Sequence, residues 1–170
     1  RLNRVVGQLL DFSRPVSLSR KPVHIRNLIS DSLALVRQKT DENKVAVTVD
    51  VVPESITARI DPDQIRQVLL NLYLNALESM DSESRLSVSA KKDSNMLQIR
   101  IQDTGRGILP EHLSHIFDPY FTTRSSGAGL GLAIVHNIIE AHEGRIEVES
   151  RPGEGTIVTL HLPDPEEESV

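Results

Sequence analysis

The sequence has no cysteine, which excludes disulfide frameworks and cysteine-based zinc sites. Aromatic residues make up only 3% of it, so its core must be aliphatic. No apolar run approaches the ~18 residues that a membrane-spanning helix needs. Excess basic charge is missing too: 19 Lys and Arg stand against 24 Asp and Glu, a net charge of −5. A chain so balanced has no field for gripping many phosphates, which argues against a nucleic-acid partner. No Met or signal-peptide pattern opens the chain at Arg1, and it reads as a piece of something longer. At 170 residues it has the length of one domain, enough to hide about 70% of its unfolded surface.

The apolar pattern divides the chain. Leu2, Val5, Leu9 and Phe12 form a short heptad-like stripe that Pro15 ends, so residues 1 to about 13 predict a helix whose apolar stripe needs a partner. Ser13–Pro22 reads as a linker. A helix is expected over 25–39 and strands over 45–51 and 56–60. Asp61-Pro62-Asp63-Gln64 opens a helix to about Met80, with Asp61 as N-cap and Gln64 completing a box-like pair. Alternation over 86–90 and 96–101, around Asp93-Ser94-Asn95, predicts a hairpin. The stretch 103–129 is irregular apart from a helical turn near 111–116, and a loop that long is usually functional. A helix over 130–142, strands over 145–149 and 156–162, and an acidic tail from Asp164 complete the chain. This order predicts an α/β sandwich, a mixed sheet covered on one face by helices.

Three clusters surround the long loop. On the helix 61–80, Gln64, Gln67, Asn71, Asn75 and Glu78 form a polar stripe beside an apolar face. It reads equally as a solvated edge or as a place where an amide oxygen ligates Mg²⁺, which takes few protein oxygens when phosphate and water supply the rest. Next comes Asp103-Thr104-Gly105-Arg106-Gly107-Ile108 at a strand end. A carboxylate there can accept from an exocyclic amine, and two glycines let the backbone close around a flat ring, but the same residues also suit a plain turn. Third is Gly127-Ala128-Gly129-Leu130-Gly131-Leu132, running into a helix whose N-terminal amides favour an anion. It is neither a P-loop nor a dinucleotide fingerprint, because no G-x-x-x-x-G-K-[ST] occurs and position 132 is Leu. Thr122, Thr123, Arg124, Ser125 and Ser126 add hydroxyls and one positive charge just upstream.

Singly these motifs are weak, but their order is specific. Asn71–Ala76, Asp103–Gly107, Phe117–Phe121, Gly127–Leu132 and Gly153–Thr156 follow N-L-x-x-N-A, D-x-G-x-G, F-x-P-x-F, G-x-G-L-G-L and G-x-G-T. Together they resemble the ATP-binding domain of bacterial sensor histidine kinases. The wording of Asn71–Ala76, Asp118–Thr123 and Gly129–Asn137 is similar to a narrower group that acts on sigma-54-dependent response regulators, the nitrogen-regulator and zinc-responsive envelope sensor kinases.

The resemblance implies a two-layer α/β sandwich of the Bergerat type, a mixed sheet on three helices with an ATP lid. It implies ATP and Mg²⁺ as cofactors, with Asn75 on the metal and Asn71 beside it. Asp103 would hold the adenine amino group, Gly105, Gly107 and Ile108 would line the base pocket, and Thr156 would support the adenine side. Phe121, Thr122, Thr123, Arg124, Gly127, Gly129, Leu130, Gly131 and Leu132 would form the lid and phosphate cradle. Residues 1–15 would end the second dimerisation helix, 16–163 would be the ATP-binding domain, and 164–170 a disordered tail. The implied partners are the protein's own dimerisation domain, carrying the phosphoacceptor histidine, and a response regulator. The implied setting is the cytoplasmic part of an inner-membrane sensor, homodimeric at full length.

Departures from the pattern matter. Many family members carry a Lys shortly after the second Asn, where this chain has Glu78, Ser79 and Met80. In the related chaperone and gyrase ATPases a water-activating Glu stands where this chain has Asn71, which favours kinase over hydrolase. His24-Ile25-Arg26-Asn27-Leu28 superficially matches the phosphoacceptor box but lacks its acidic residue and its Pro, so no catalytic acceptor is assigned here. His112 and His115 lack a third ligand and are expected to be solvated rather than zinc-bound. The leading function is γ-phosphoryl donation to a histidine outside this chain, and the alternative is a non-catalytic ATP-sensing or regulator-docking module.

Overall fold

The structure, a computed structural model, describes residues 17–123 and 128–164. The elements run β1 (Lys21–His24), α1 (Ile25–Ala34), α2 (Arg37–Glu42), β2 (Ala46–Val52), β3 (Thr57–Ile60), α3 (Pro62–Ser79), β4 (Arg85–Asp93), β5 (Met96–Asp103), α4 (Pro110–Leu113), α5 (Gly131–Ala141), β6 (Arg145–Arg151) and β7 (Gly155–Pro163). The main sheet has the order β2-β4-β5-β7-β6, with β2 parallel to β4 and every other pair antiparallel. It is the mixed sheet expected from the sequence, and α1, α3 and α5 pack against it.

Period-2 alternation sets the layers. Leu86, Val88 and Ala90 of β4, Leu97, Ile99 and Ile101 of β5 and Leu160 and Leu162 of β7 are all buried, while their sequence neighbours face the other side. Ile65, Val68, Leu69, Leu72, Ala76 and Ile134, Val135, Ile138, Ile139 meet them from α3 and α5. With few aromatics, this aliphatic packing supplies the core. Tyr73 is its largest fully buried side chain.

The N-terminus of α3 forms as the sequence predicts, with one change. The Asp61 carboxylate accepts from the N–H of Asp63 and of Gln64, both at 3.1 Å, and Pro62 opens the helix. The expected return bond to the Asp61 N–H does not come from Gln64. That N–H donates instead to Nε2 of His142, 3.2 Å away at the end of α5. The start of α3 is thereby tied to the end of α5.

Three expectations are corrected. The supposed linker contains β1, which pairs antiparallel with β3 in a separate two-stranded sheet. Pro22 and flanking exposed residues hide its strand character in sequence. The helix expected over 25–39 is two helices. Ser32 Oγ donates back to the Leu28 carbonyl at 2.6 Å, and Leu35 and Val36 bond to carbonyls three residues back, which tightens and ends α1. Val36 then turns into the core while Leu35 stays exposed. Asp164, assigned to the tail, is buried: it accepts from the Arg59 N–H at 2.8 Å and pairs with Lys92. The expected dimerisation helix end over 1–15 and the rest of the tail lie outside the described residues.

Candidate nucleotide site

One end of the candidate site is built where β5 and β6 end and β7 begins. Asp103 closes β5 and stands in register with Thr156 of β7, which stands in register with Ser150 of β6. Directly opposed residues share a face, so the three side chains form one row under the end of α3. Asp103 Oδ1 accepts the Gly105 N–H at 2.8 Å, turning the chain sharply after the strand. The Arg106 N–H then donates to the Ser79 carbonyl at 3.0 Å, and the Gly153 N–H to the Arg106 carbonyl at 2.8 Å. The loop after Asp103 is thus pinned between the end of α3 and the β6–β7 turn. A side chain at Gly107, where φ is +72°, would strike the Arg151 backbone, so this position needs glycine twice over. The Ile108 N–H donates to Ser150 Oγ at 2.8 Å. Asp103, Gly105, Gly107, Ile108 and Thr156, separated by up to nearly a third of the sequence, therefore meet in one place.

Asp103 is only 7% exposed. Burial raises its pKa above the ordinary carboxylate range, opposed by hydrogen bonds from the Gly105 and Thr156 backbones and the Ser79 hydroxyl. A buried carboxylate at a strand end suits an acceptor for a donor that a ligand brings.

The polar stripe of α3 is half-buried along Gln64, Gln67, Asn71 and Asn75. Its two asparagines are not equivalent. Asn71 Nδ2 donates back to the Gln67 carbonyl at 3.1 Å. Its Oδ1 faces the start of α5, where a Cβ on Gly131 would lie 3.1 Å away. Asn71 therefore borders the N-terminus of α5, whose first amides have no side-chain cap, while Asn75 lies one turn closer to Asp103. Among the described residues no group of three His, Asp or Glu side chains gathers to hold a metal. This face of α3 offers a hard cation the amide oxygens of its half-buried part and the exposed Glu78 carboxylate at its end.

The lid residues divide. Leu130 is 1% exposed and belongs to the core, and Leu132 packs at its margin, so both offer a phosphate only backbone. The Tyr120 N–H donates to the Gly129 carbonyl at 2.9 Å, joining the two sides of the loop at its base. Phe121 does not stand free: its ring centroid is 5.6 Å from His112 and 6.0 Å from His115. His115 Nδ1 also lies 2.9 Å from Asp118 Oδ2. His112 is thus half-buried against Phe121, while His115 is exposed, as expected of a solvated histidine. Thr122 and Thr123 are exposed, and Arg124 and Gly127 lie outside the described residues.

Sequence reasoning missed Ser79 and Ser150. Ser150 was findable, since counting outward from the Pro152–Glu154 turn sets it opposite Thr156.

Residues 60–166 match the model of the histidine kinase-, DNA gyrase B- and HSP90-like ATPases. The chain belongs to this family. It is similar to the sensor histidine kinase ZraS of Escherichia coli K12, with 43% identity over 166 residues, covering 96% of this chain and 35% of ZraS. It spans about a third of the length of the curated relatives it matches. The fold matches full-length ShkA in complex with AMPPNP at TM-score 0.87 and 27% identity, covering 95% of this chain and 35% of ShkA. It also matches histidine kinase ThkA in complex with the response regulator protein TrrA, at TM-score 0.84 and 27% identity, covering 99% of this chain and 48% of that one. Both the curated relatives and the structural neighbours are histidine kinases. Among the described residues no helix is long and apolar enough to cross a membrane.

Proposed function

We propose that this chain is the ATP-binding catalytic domain of a sensor histidine kinase. It donates the γ-phosphate of ATP to a histidine on a dimerisation domain, for relay to an aspartate of a response regulator. The observation that carries the proposal is the row Asp103–Thr156 with its pinned loop, set across from the α3 amides and the uncapped start of α5. One end offers acceptors for a base, and the other offers amides for phosphates.

Asp103 would accept from the adenine amino group while Gly107 and Ile108 flank the ring. Asn75 would ligate a magnesium ion, which when bound neutralises the charge of the phosphates. Asn71, turned toward Gly131, would hold the start of α5 against the phosphate chain. In the transfer, the imidazole nitrogen bonds to the γ-phosphorus as the bond to the bridging oxygen breaks, and ADP leaves. Such a step needs positioning and charge stabilisation more than covalent help from the domain. Asn71 is no general base, so water is not activated in competition.

By analogy with ThkA and TrrA, the partner is a response regulator, and the narrower resemblance points to one that works with sigma-54. The whole protein would be a homodimer and this chain the cytoplasmic part of an inner-membrane sensor. The test supplies labelled ATP to this chain with and without a separate dimerisation domain carrying the histidine. Label that survives alkali but not acid is expected on the added domain only, at a low rate because the linkage is cut. Stoichiometric label on this chain alone, lost in His24→Ala, would overturn the assignment of the acceptor.

A further inference from the structure

We propose that Ser150 sets the base preference of the nucleotide site by fixing the direction of the Thr156 hydroxyl proton. The proposal rests on the nucleotide-site reading and adds a positioning residue to it.

Ser150 Oγ has three polar neighbours. The Ile108 N–H lies 2.8 Å away, the Gly155 carbonyl 2.9 Å and Thr156 Oγ1 2.9 Å. A hydroxyl has one proton to give and two lone pairs to accept with. The Ile108 amide can only donate and the Gly155 carbonyl can only accept. The Ser150 proton is therefore committed to Gly155, and the contact with Thr156 is a hydrogen bond only if Thr156 donates. Ser150 is then saturated, with two bonds accepted and one donated. Thr156 has used its one proton, so its hydroxyl can only accept from anything else.

This matters because of what stands beside it. Thr156 is directly opposite Asp103, and an ionised carboxylate also only accepts. Two adjacent groups that only accept demand donors from a ligand. An exocyclic amine, as on adenine, supplies them. The O6 of guanine or hypoxanthine is itself an acceptor and finds no donor on either residue. Discrimination is thus shared between a charged residue and a neutral one, and the neutral share depends on Ser150. If the Ser150 hydroxyl is removed, Thr156 is free to rotate and donate to O6.

Calorimetric titration of this chain with ATP and with ITP, in magnesium, tests the proposal. Ser150→Ala is expected to lower the ratio of ATP to ITP affinity about three- to tenfold, the worth of one neutral hydrogen bond. Part of that change should come from tighter ITP binding. Ser150→Thr, which keeps the hydroxyl, should restore the ratio. A purely structural role would weaken both nucleotides together and leave the ratio fixed, which overturns the proposal. Thr156→Val removes the acceptor while leaving the Ser150 bond to Gly155, and it must lower the ratio without tightening ITP. An unchanged ratio in Thr156→Val overturns the proposal whether or not Ser150→Ala folds. Failure of the parent chain to bind either nucleotide would overturn the site reading itself, and is told apart by the unsubstituted protein.

Discussion

The backbone N–H of Asp61 donates to Nε2 of His142 across 3.2 Å, while Nδ1 of the same ring lies 2.8 Å from the Ile138 carbonyl. A carbonyl only accepts, so Nδ1 carries the proton, Nε2 is bare, and the ring is neutral. His142 is 2% exposed, and burial is the main cause that lowers its pKa. The Ile138 carbonyl and the Asp61 carboxylate oppose that shift, and Arg20 adds to it. The same Asp61 carboxylate accepts the Ser19 N–H at 2.7 Å, so the chain entering the domain, α3 and α5 share this joint.

A pH dependence follows. A histidine whose folded-state pKa is lowered contributes stability that is complete above its ordinary value near 6.5 and is lost as pH falls through the lowered value. Asp103 works in the opposite sense. Its raised pKa gives a contribution that is full below the ordinary carboxylate range and lost as pH rises through the raised value. Urea unfolding from about pH 7 down to about pH 5 should show a loss that His142→Gln reduces, because the amide cannot take up the proton. Identical pH profiles for parent and variant would contradict the neutral-ring assignment.

Tyr73 is fully buried, and its hydroxyl has no hydrogen-bond partner among the described residues. Burial raises its pKa far above the ordinary value, so it stays protonated. An unmet buried hydroxyl costs stability, and Tyr73→Phe removes the cost while keeping the ring. Thermal or urea unfolding should show the variant equal to the parent or more stable, by up to about 2 kcal/mol. A loss of more than about 1 kcal/mol would mean that the hydroxyl is satisfied.

Asp103→Asn separates stability from binding. Asn keeps an oxygen for the Gly105 N–H and carries no buried charge, so the melting temperature at neutral pH should rise. Nucleotide affinity should fall tenfold or more, roughly the loss of one charge-assisted hydrogen bond. This is the pattern of a residue kept for function against stability. A variant that lost stability and kept its affinity would assign Asp103 to the fold.

The legible parts of the sequence were those governed by short-range pattern. Alternation at Leu86–Ala90 and Leu97–Ile101 marked β4 and β5, and Asp61-Pro62 marked the start of α3 to the residue. Long-range partners were not legible. Nothing local shows that the Asp61 N–H is met by His142, eighty-one positions away, rather than by Gln64. β1 was hidden because a four-residue strand with Pro22 gains its structure from β3. Motif order singled out Asp103, Gly107, Ile108 and Thr156, and the fold places them side by side. The different environments of Asn71 and Asn75 needed the placement of Gly131. Leu130 read as lining because it stands among glycines, yet one apolar residue at the start of an amphipathic helix is drawn into the core.

Asn75→Ala should separate metal from base. Adenosine binding should change little, while the enhancement of ATP binding by magnesium should largely disappear. Calorimetry with and without magnesium reads both. If magnesium strengthened ATP binding as much in the variant as in the parent, Asn75 would not be the ligand.

The central claim is that a buried carboxylate at the end of β5 reads an adenine. Titration of this chain with ATP and with GTP in magnesium tests it most directly. ATP is expected to bind at least about tenfold more tightly, because the guanine O6 would face Asp103 acceptor to acceptor, and Asp103→Asn should erase most of that preference. Equal affinities for ATP and GTP in the parent chain, or a preference that survives in Asp103→Asn, would contradict it.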